Sequence, residues 1–402
     1  MRLTGANKQR LLIMVNAHEI HRIPLLALIF ALWTAALPAL AEANEPFAIE
    51  TLDPNFAARD ASGEWLWYDA RGLIVEGKGW NDTDRFYDRL PARAEGVVPG
   101  PVWALSRHSA GLCVRFVTDA QKISARWTVL NERLDMPHMP ATGVSGLDLY
   151  VRDMGVWRWI ANGRPGGQHT ESLLADNIPD GRHEFMVYLP LYNGLESLEI
   201  GVAPSATLAK GPARPAGKDR PILFYGTSIT HGGCASRTGM AYPSILSRRL
   251  DMPIINLGFS GNGKMEPELG ILLAEVDAAA YVLDCVPNMT PEQVAERVVP
   301  FVVALRAARP DTPILLVENI AYQAGAFLPA HKERYRAKNI VLREAYERLV
   351  AQGLSALHYM PGEVLLGDDG EATVDGTHPT DLGFQRMADA MEPVLRSALG
   401  HP

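Results

Sequence analysis

The sequence predicts two regions in order: a β-sandwich of the jelly-roll kind, and then an α/β domain built on an open parallel sheet. Short alternating strands separated by turn sequences fill the first half of the chain, whereas apolar strands alternate with helical stretches in the second half. A chain of 402 residues is also longer than one hydrophobic core usually supports. We expect the sandwich at 44–202, a linker at 203–220 and the α/β domain at 221–400.

The first 41 residues have the features of a secretory signal. Basic residues precede an apolar run at 23–40, which ends in the small-residue sequence Ala39-Leu40-Ala41. Cleavage after Ala41 would export the mature protein, so the expected location is secreted or periplasmic. A retained membrane anchor is the alternative, and the alanine-rich run broken by Pro38 argues against it.

The segment 44–202 shows the alternation of strands that are buried on one face. Apolar and polar side chains alternate at 113–117, 123–127 and 184–189, and turn sequences such as Asn162-Gly163 separate the strands. Many short strands with such turns are typical of a sandwich or jelly roll.

The stretch 203–220 has the composition of a linker. It contains three prolines together with several alanine, glycine and lysine residues. Such a composition disfavours a continuous strand or helix, so we expect an irregular connection between the two regions.

After the linker, apolar strand candidates alternate with helical stretches. The strands are expected at 221–226, 253–258, 279–285, 312–317 and 355–360. The helices are expected near 240–250, 266–275, 291–308, 332–352 and 380–398. This alternation predicts a parallel sheet with helices on both faces, in which ligands bind at the carboxyl ends of the strands. Ser228 and Asn288 each follow such an end.

Two short segments carry the residues of nucleophilic catalysis. Ser228 follows the glycine that ends the first strand of the α/β domain, and Asp375-Gly-Thr-His378-Pro379 holds a carboxylate and an imidazole three positions apart. Together they supply a nucleophile, a base and the group that orients the base, which predicts a serine hydrolase. The alternative for the second segment is a turn whose Asp375 or Thr377 caps the last helix.

Four segments of 221–399 resemble, in the same order, the sequence blocks of the SGNH (GDSL-type) hydrolases. They are Gly226-Thr-Ser228, Asn256-Leu-Gly-Phe-Ser-Gly261-Asn-Gly263, Asp284-Cys-Val-Pro-Asn288 and Asp375-Gly-Thr-His378. The resemblance implies a flavodoxin-like three-layer fold, a catalytic triad of Ser228, His378 and Asp375, and no cofactor. It also implies an oxyanion hole formed by the amides of Ser228 and Gly261 and the side-chain amide of Asn288. Thr227 replaces the family's aspartate and Pro287 replaces a common glycine, but neither position belongs to the triad.

The first half resembles the GxDLY domain that precedes one subgroup of SGNH esterases. The resemblance rests on Gly146-Leu-Asp-Leu-Tyr150, with Tyr87-Asp-Arg-Leu-Pro91 and Gly111-Leu-Cys-Val-Arg-Phe116 as further matching segments. It implies hydrolysis of short acyl esters, with acetyl groups on carbohydrates as the first expectation. A lipid or aryl esterase and an acyltransferase of the same fold are alternatives. A non-catalytic glycan-binding protein is the alternative from another class.

Composition and spacing exclude several other partners. A net charge of -8 without a basic cluster argues against nucleic acid. No Cys-x-x-Cys and no histidine pair with the helical i,i+4 spacing occurs, so no metal site is predicted. The expected partner is therefore a small-molecule or polysaccharide ester, with no membrane role beyond signal-mediated export.

The cysteines and the tryptophans each allow two interpretations. Cys113, Cys234 and Cys285 are expected to be buried thiols, with a bridge between Cys234 and Cys285 as the alternative. Seven tryptophans lie between Trp65 and Trp159. Core and interface packing is the first interpretation of them, and a glycan-stacking surface is the second.

Overall fold

The alternating segments of the first half form antiparallel strands in the computed structural model, which describes residues 50–400. The predicted signal at 1–41 lies outside the described residues. We call residues 50–211 the sandwich region. Its strands are β1 (Ala58–Arg59), β2 (Leu66–Asp69), β3 (Ile74–Glu76), β4 (Cys113–Thr118), β5 (Ile123–Val129), β6 (Leu147–Asp153), β7 (Val156–Gly163), β8 (His169–Ala175), β9 (His183–Tyr188), β10 (Leu195–Val202) and β11 (Leu208–Lys210). Two short helices, α1 (Gly100–Ser106) and α2 (Ala141–Val144), lie between the strands.

The strands of the sandwich region make two sheets that face each other. One sheet has the order β1-β2-β10-β5-β8, and the other has the order β11-β4-β9-β6-β7 with β3 beside β4. Trp127 and Ile200 of the first sheet share a buried core with Phe116 and Val187 of the second. This arrangement confirms the predicted β-sandwich.

The structure differs from the prediction at 203–220. Strand β11 lies within this stretch and pairs with β4. The Arg214 side chain, also within it, is 5% exposed and forms ion pairs with Glu76 at 2.7 Å and Asp251 at 2.8 Å. The prolines and glycines of this stretch suggested an irregular connection, but the apolar Leu208 side chain packs into the sandwich core and brings the chain into the sheet.

The second half, which we call the α/β region, has one parallel sheet of order β13-β12-β14-β15-β16. Its strands are β12 (Ile222–Gly226), β13 (Ile254–Gly258), β14 (Ala280–Asp284), β15 (Ile314–Val317) and β16 (Leu357–Met360). Its helices are α3 (Ser228–His231), α4 (Tyr242–Leu250), α5 (Pro267–Glu275), α6 (Pro291–Ala308), α7 (Pro329–Ala351) and α8 (Asp381–Ala398). Every predicted strand and helix of this region is present, and among its α-helices only the one-turn α3 was not predicted. No helix within residues 50–400 has both the length and the apolar character needed to cross a bilayer.

The sheet of the α/β region is buried on both faces, as its continuous apolar strands require. Tyr225 and Leu257 pack toward α5, α6 and α7, whereas Phe224 and Val282 pack toward α4 and α8. The result is the predicted three-layer α/β fold. Helix α8 begins after Thr380, whose hydroxyl accepts a hydrogen bond from the Gly383 amide at 3.3 Å, so neither residue proposed as an alternative cap has that role.

The sandwich region packs directly on the α/β region. The outer face of its second sheet carries Tyr150 and Tyr188, and the Arg248 guanidinium of α4 lies 4.2 Å and 5.3 Å from their ring centroids. The Tyr188 hydroxyl donates to the Ser244 carbonyl at 3.3 Å. The described parts of both regions therefore belong to one compact unit.

Candidate active site

Ser228 stands at the turn where β12 ends and α3 begins. The turn needs glycine at 226, because a Cβ there would lie 2.2 Å from the Thr230 hydroxyl oxygen and 2.6 Å from the Asp284 carbonyl oxygen. Thr227 is the N-cap of α3, and its hydroxyl accepts a hydrogen bond from the Ile229 amide at 3.3 Å. Threonine can thus fill the position where the family has aspartate. Ser228 itself is 6% exposed.

The structure brings Ser228, His378 and Asp375 into one hydrogen-bonded chain. The Ser228 Oγ lies 2.9 Å from the His378 Nε2, and the His378 Nδ1 lies 2.7 Å from the Asp375 Oδ2. The other carboxylate oxygen of Asp375 accepts the backbone amides of His378 at 2.8 Å and Thr377 at 3.0 Å. One carboxylate therefore both organises the loop and orients the imidazole.

The environment of Asp375 favours its ionised form. Partial burial acts to raise the pKa of this carboxyl, but hydrogen bonds from the His378 amide and imidazole and from the Thr377 amide outweigh it. The pKa of Asp375 therefore lies below its usual value. An ionised carboxylate at this point is suited to stabilise positive charge on the His378 imidazole.

The predicted oxyanion-hole residues lie on two linked loops. The Asn262 amide donates to the Phe259 carbonyl at 2.9 Å, and Gly261 between them has φ +71°, the left-handed value such a turn requires. The Asn288 side-chain amide donates to the Asn262 carbonyl at 2.7 Å, which joins the two loops. Ser228 is the first residue of α3, where an amide has no acceptor within the helix.

The hydrogen bonds distinguish Gly261 from Gly258 but not from Gly263, whose amide also has no acceptor within residues 50–400. The Gly258 amide is already bonded to the Asn256 side-chain oxygen at 2.8 Å. Gly263 serves close packing, because a Cβ there would lie 2.0 Å from the Gly226 carbonyl oxygen. The Gly261 amide has no hydrogen-bond acceptor within residues 50–400, so it is available to donate to a ligand.

A buried carboxyl that received no role in the sequence analysis lies beside helix α3. Asp284 ends β14, and its Oδ2 accepts the hydroxyls of Thr230 and Tyr242, each at 2.9 Å. Complete burial raises the pKa of Asp284 to about 7, although the two hydroxyl donors act in the opposite direction. The sequence marked this residue only as the start of a block.

The sandwich region also contributes side chains that the sequence did not single out. The Tyr192 hydroxyl donates to the Ser228 carbonyl at 3.3 Å, and its ring stacks on His231 at 4.1 Å between centroids. The exposed His138 ring lies 6.0 Å from the ring of His378. No local pattern of the sequence identified Tyr192 or His138, because each reaches the site only through the packing of the two regions.

The cysteine and tryptophan interpretations are decided by burial. All three cysteines are unpaired and buried, which confirms the predicted thiols and rules out the alternative bridge in this structure. Trp67, Trp80, Trp127 and Trp157 are buried. Trp159 is 45% exposed, but its indole nitrogen donates to the Asp148 carboxylate at 2.7 Å. Core and interface packing thus accounts for most of this set.

Comparison with known proteins identifies the family. The model of the GDSL-like lipase/acylhydrolase family matches residues 219–396, and the model of the GxDLY N-terminus of SGNH-type esterases matches 65–208. The crystal structure of a GDSL-like lipase from Bacteroides ovatus is 38% identical, covers 84% of this chain and 98% of its own, and superposes with a TM-score of 0.79. The chain belongs to the GDSL-like, or SGNH, hydrolase family.

Two further SGNH-like structures share the fold at lower identity. The salicylyl-acyltransferase SsfX3 from a tetracycline biosynthetic pathway is 20% identical, covers 85% of this chain and 99% of its own, and has a TM-score of 0.69. A family two carbohydrate esterase from Clostridium thermocellum is 14% identical, covers 72% of this chain and 93% of its own, and has a TM-score of 0.55. Comparison with curated proteins gives no match.

Proposed function

We propose that this SGNH hydrolase is a serine esterase that removes short acyl groups, acetyl first among them, from carbohydrates. The observation that supports it most strongly is the hydrogen-bonded chain from Ser228 Oγ through His378 to Asp375. Gly261 and Asn288 lie on adjacent loops with donors suited to an oxyanion. These residues meet the requirements of acyl transfer through a covalent serine ester, and no cofactor has a part in the scheme.

The proposed reaction proceeds in two steps. His378 accepts the proton of Ser228 as its oxygen attacks the acyl carbon, and the amides of Ser228 and Gly261 with the Asn288 side chain stabilise the oxyanion. Each such donor lowers the barrier by about 3 kcal/mol. The protonated imidazole, held by Asp375, then protonates the departing alcohol. Water attacks the acyl-enzyme with His378 as the base, which releases the acid and restores Ser228.

The triad is closely packed on one side and open to solvent on another, and the open side has room for a large carbohydrate alcohol. The space beside Ser228 is filled on one side, because a Cβ on Gly233 would lie 2.8 Å from the Tyr192 hydroxyl and 3.3 Å from the His378 ring. A cleft of about 720 Å³ begins at Asn288 and extends past Arg334. Partly exposed His378 leaves the alcohol side open to solvent.

Similar structures guide the choice of substrate. The carbohydrate esterase from Clostridium thermocellum was solved in complex with cellohexaose. Export to the periplasm or the cell exterior, proposed from residues 1–41, would bring the enzyme to polysaccharide esters.

An acyltransferase is the second candidate, supported by the similar fold of the salicylyl-acyltransferase over most of this chain. The same acyl-enzyme would then react with an alcohol in place of water. Product analysis with a sugar acceptor present separates the two functions, since transfer gives an acylated sugar and hydrolysis gives free acid.

The test is a screen of p-nitrophenyl esters from acetyl to octanoyl beside acetylated xylan, xyloglucan and mannan. We expect the highest kcat/KM on the acetyl ester and acetate release from at least one glycan. Ser228→Ala is the control, and its turnover should fall by at least about 10³-fold with an unchanged circular dichroism spectrum. Preference for octanoyl would favour a lipid esterase, and wild-type turnover in Ser228→Ala would refute the nucleophile.

A further inference from the structure

Arg89 is a buried cation whose charge has no carboxylate partner. It is 1% exposed, and within residues 50–400 no ion pair joins it to an acid. The adjacent Asp88 pairs with Arg107 at 3.0 Å. Burial lowers the pKa of Arg89 to about 9. Because a buried charge without a partner costs several kcal/mol, the other contacts of this guanidinium must compensate.

The guanidinium of Arg89 donates to four backbone carbonyls in two parts of the molecule. Within the sandwich region, Nη2 donates to the Leu105 carbonyl at 2.6 Å and Nε donates to that of His108 at 2.8 Å. In the α/β region, Nη1 donates to the carbonyls of Asn256 at 2.9 Å and Gly258 at 2.8 Å. Strand β13 is an edge of the parallel sheet, so these two carbonyls have no neighbouring strand on the outer side.

The two β13 contacts lie immediately before the turn that holds Gly261. Gly258 is the last residue of β13, and the turn closed by the hydrogen bond from the Asn262 amide to the Phe259 carbonyl follows at once. The Arg89 guanidinium also lies 5.0 Å from the centroid of the Phe259 ring. Since the Asn262 carbonyl accepts the Asn288 side chain, a displacement of this turn would move both donors.

We propose that Arg89 is a positioning residue for the oxyanion hole. It fixes the end of β13, and through it the turn that presents the Gly261 amide and anchors Asn288. Its buried positive charge also has the sign that stabilises negative charge on the substrate oxygen. This inference rests on the proposed esterase function, because it assigns Arg89 a part in the same reaction.

The experiment compares Arg89→Lys and Arg89→Ala with Arg152→Met as a matched control. Arg152 also joins the two regions, through hydrogen bonds of 2.9 Å to both carboxylate oxygens of Asp251, but contacts no residue of the candidate site. The kcat and KM on p-nitrophenyl acetate are measured per active site, titrated with a fluorophosphonate that labels the serine.

We expect Arg89→Lys to lower kcat by about 10- to 100-fold with KM within about threefold of wild type, because lysine keeps the charge but cannot reach four carbonyls. Arg152→Met should keep kcat within about threefold. Guanidinium ion at non-denaturing concentration should raise the kcat of Arg89→Ala by at least about tenfold, because it can refill the vacated position. If Arg89→Ala does not fold, the comparison of Arg89→Lys with Arg152→Met decides the inference.

Three outcomes overturn the inference: an unchanged kcat in Arg89→Lys, an equal loss in Arg152→Met, or no recovery with guanidinium ion. Each of these outcomes can be interpreted only when the wild-type protein hydrolyses the ester. A wild type without ester hydrolysis or serine labelling would instead contradict the proposed function.

Discussion

The two halves of the candidate active site are built in different ways. Ser228, Gly261 and Asn288 follow the ends of the adjacent strands β12, β13 and β14, whose register places Gly226 beside both Gly258 and Asp284. The Asp375–His378 loop lies off the sheet, between β16 and α8. Ser228 is 6% exposed, whereas the Asp375 side chain is 42% exposed. The part formed by Ser228, Gly261 and Asn288, which we call the strand-end half, depends on the buried core. The Asp375–His378 loop, which we call the loop half, depends on local hydrogen bonds.

The largest effect is expected in the loop half, from Asp375→Asn. The asparagine oxygen can still accept the Thr377 and His378 amides, so the loop should keep its shape. Its NH₂ group would face the His378 Nδ1 and select the wrong tautomer, which should lower kcat by about 10²–10⁴-fold. Thermal unfolding should change by no more than about 2 °C, because the side chain is partly exposed.

Asp369→Asn is the control for that variant, since Asp369 is an exposed carboxylate paired with Arg386 outside the site. It should retain full turnover. If Asp375→Asn keeps kcat within about tenfold of wild type, the orienting role of Asp375 is wrong.

In the strand-end half, Asn288→Ala should lower kcat by about 10²–10³-fold with a smaller change in KM. The reason is that its donor bond strengthens as the oxyanion forms. Steady-state kinetics on p-nitrophenyl acetate measure both constants. A change confined to KM would make Asn288 a substrate-binding residue and leave the oxyanion to the backbone amides.

The free energy of unfolding should depend on pH through Asp284, the buried carboxyl that ends β14 beside the strand-end half. Its folded-state pKa is about 7 against an ordinary value of 3.8. The folded protein therefore keeps a proton that the unfolded chain has lost, so this contribution to stability is complete below about pH 4 and disappears as pH rises through 7. Asp284→Asn keeps the acceptor for Thr230 and Tyr242 but cannot titrate.

Urea unfolding of wild type and Asp284→Asn at pH 4 and pH 8 measures the effect. The unfolding free energy of the variant relative to wild type should rise by on the order of 3 kcal/mol between the two values. An identical pH dependence for both proteins would show that Asp284 does not hold its proton in the folded state.

The smallest effect is expected at the rim of the loop half. His138 lies at the tip of a turn in which Met136 and Met139 exchange backbone hydrogen bonds at 3.0 and 3.1 Å. His138→Ala should raise KM for an acetylated glycan by about fivefold, the loss of about 1 kcal/mol of contact. The kcat on p-nitrophenyl acetate should stay unchanged. An equal change on both substrates would mean that His138 acts through His378 and does not contact the alcohol.

Prediction from the sequence was most successful where a local pattern has one structural solution. The buried strands of the α/β region are continuous apolar runs, so β12 to β16 begin and end within two residues of the predicted bounds. Ser228 and Asn288 follow strand ends, which explains why the sequence placed them at one edge of the sheet.

Residues that act across the interface could not be predicted in this way. Arg89 is 167 positions from Asn256, and no periodicity marks an arginine that will be buried. Tyr192 and His138 reach the site from the sandwich region. Strand β11 was not predicted because prolines lie on both sides of it in the sequence. Each depends on the fold of one region against the other.

The cover over β13 has a consequence for solubility. An uncovered edge strand is a template for pairing with another chain. The Arg89 guanidinium occupies the outward carbonyls of Asn256 and Gly258, and its bond to the Leu105 carbonyl holds it to the sandwich region. The sandwich region thereby closes this edge of the parallel sheet to pairing with a second molecule.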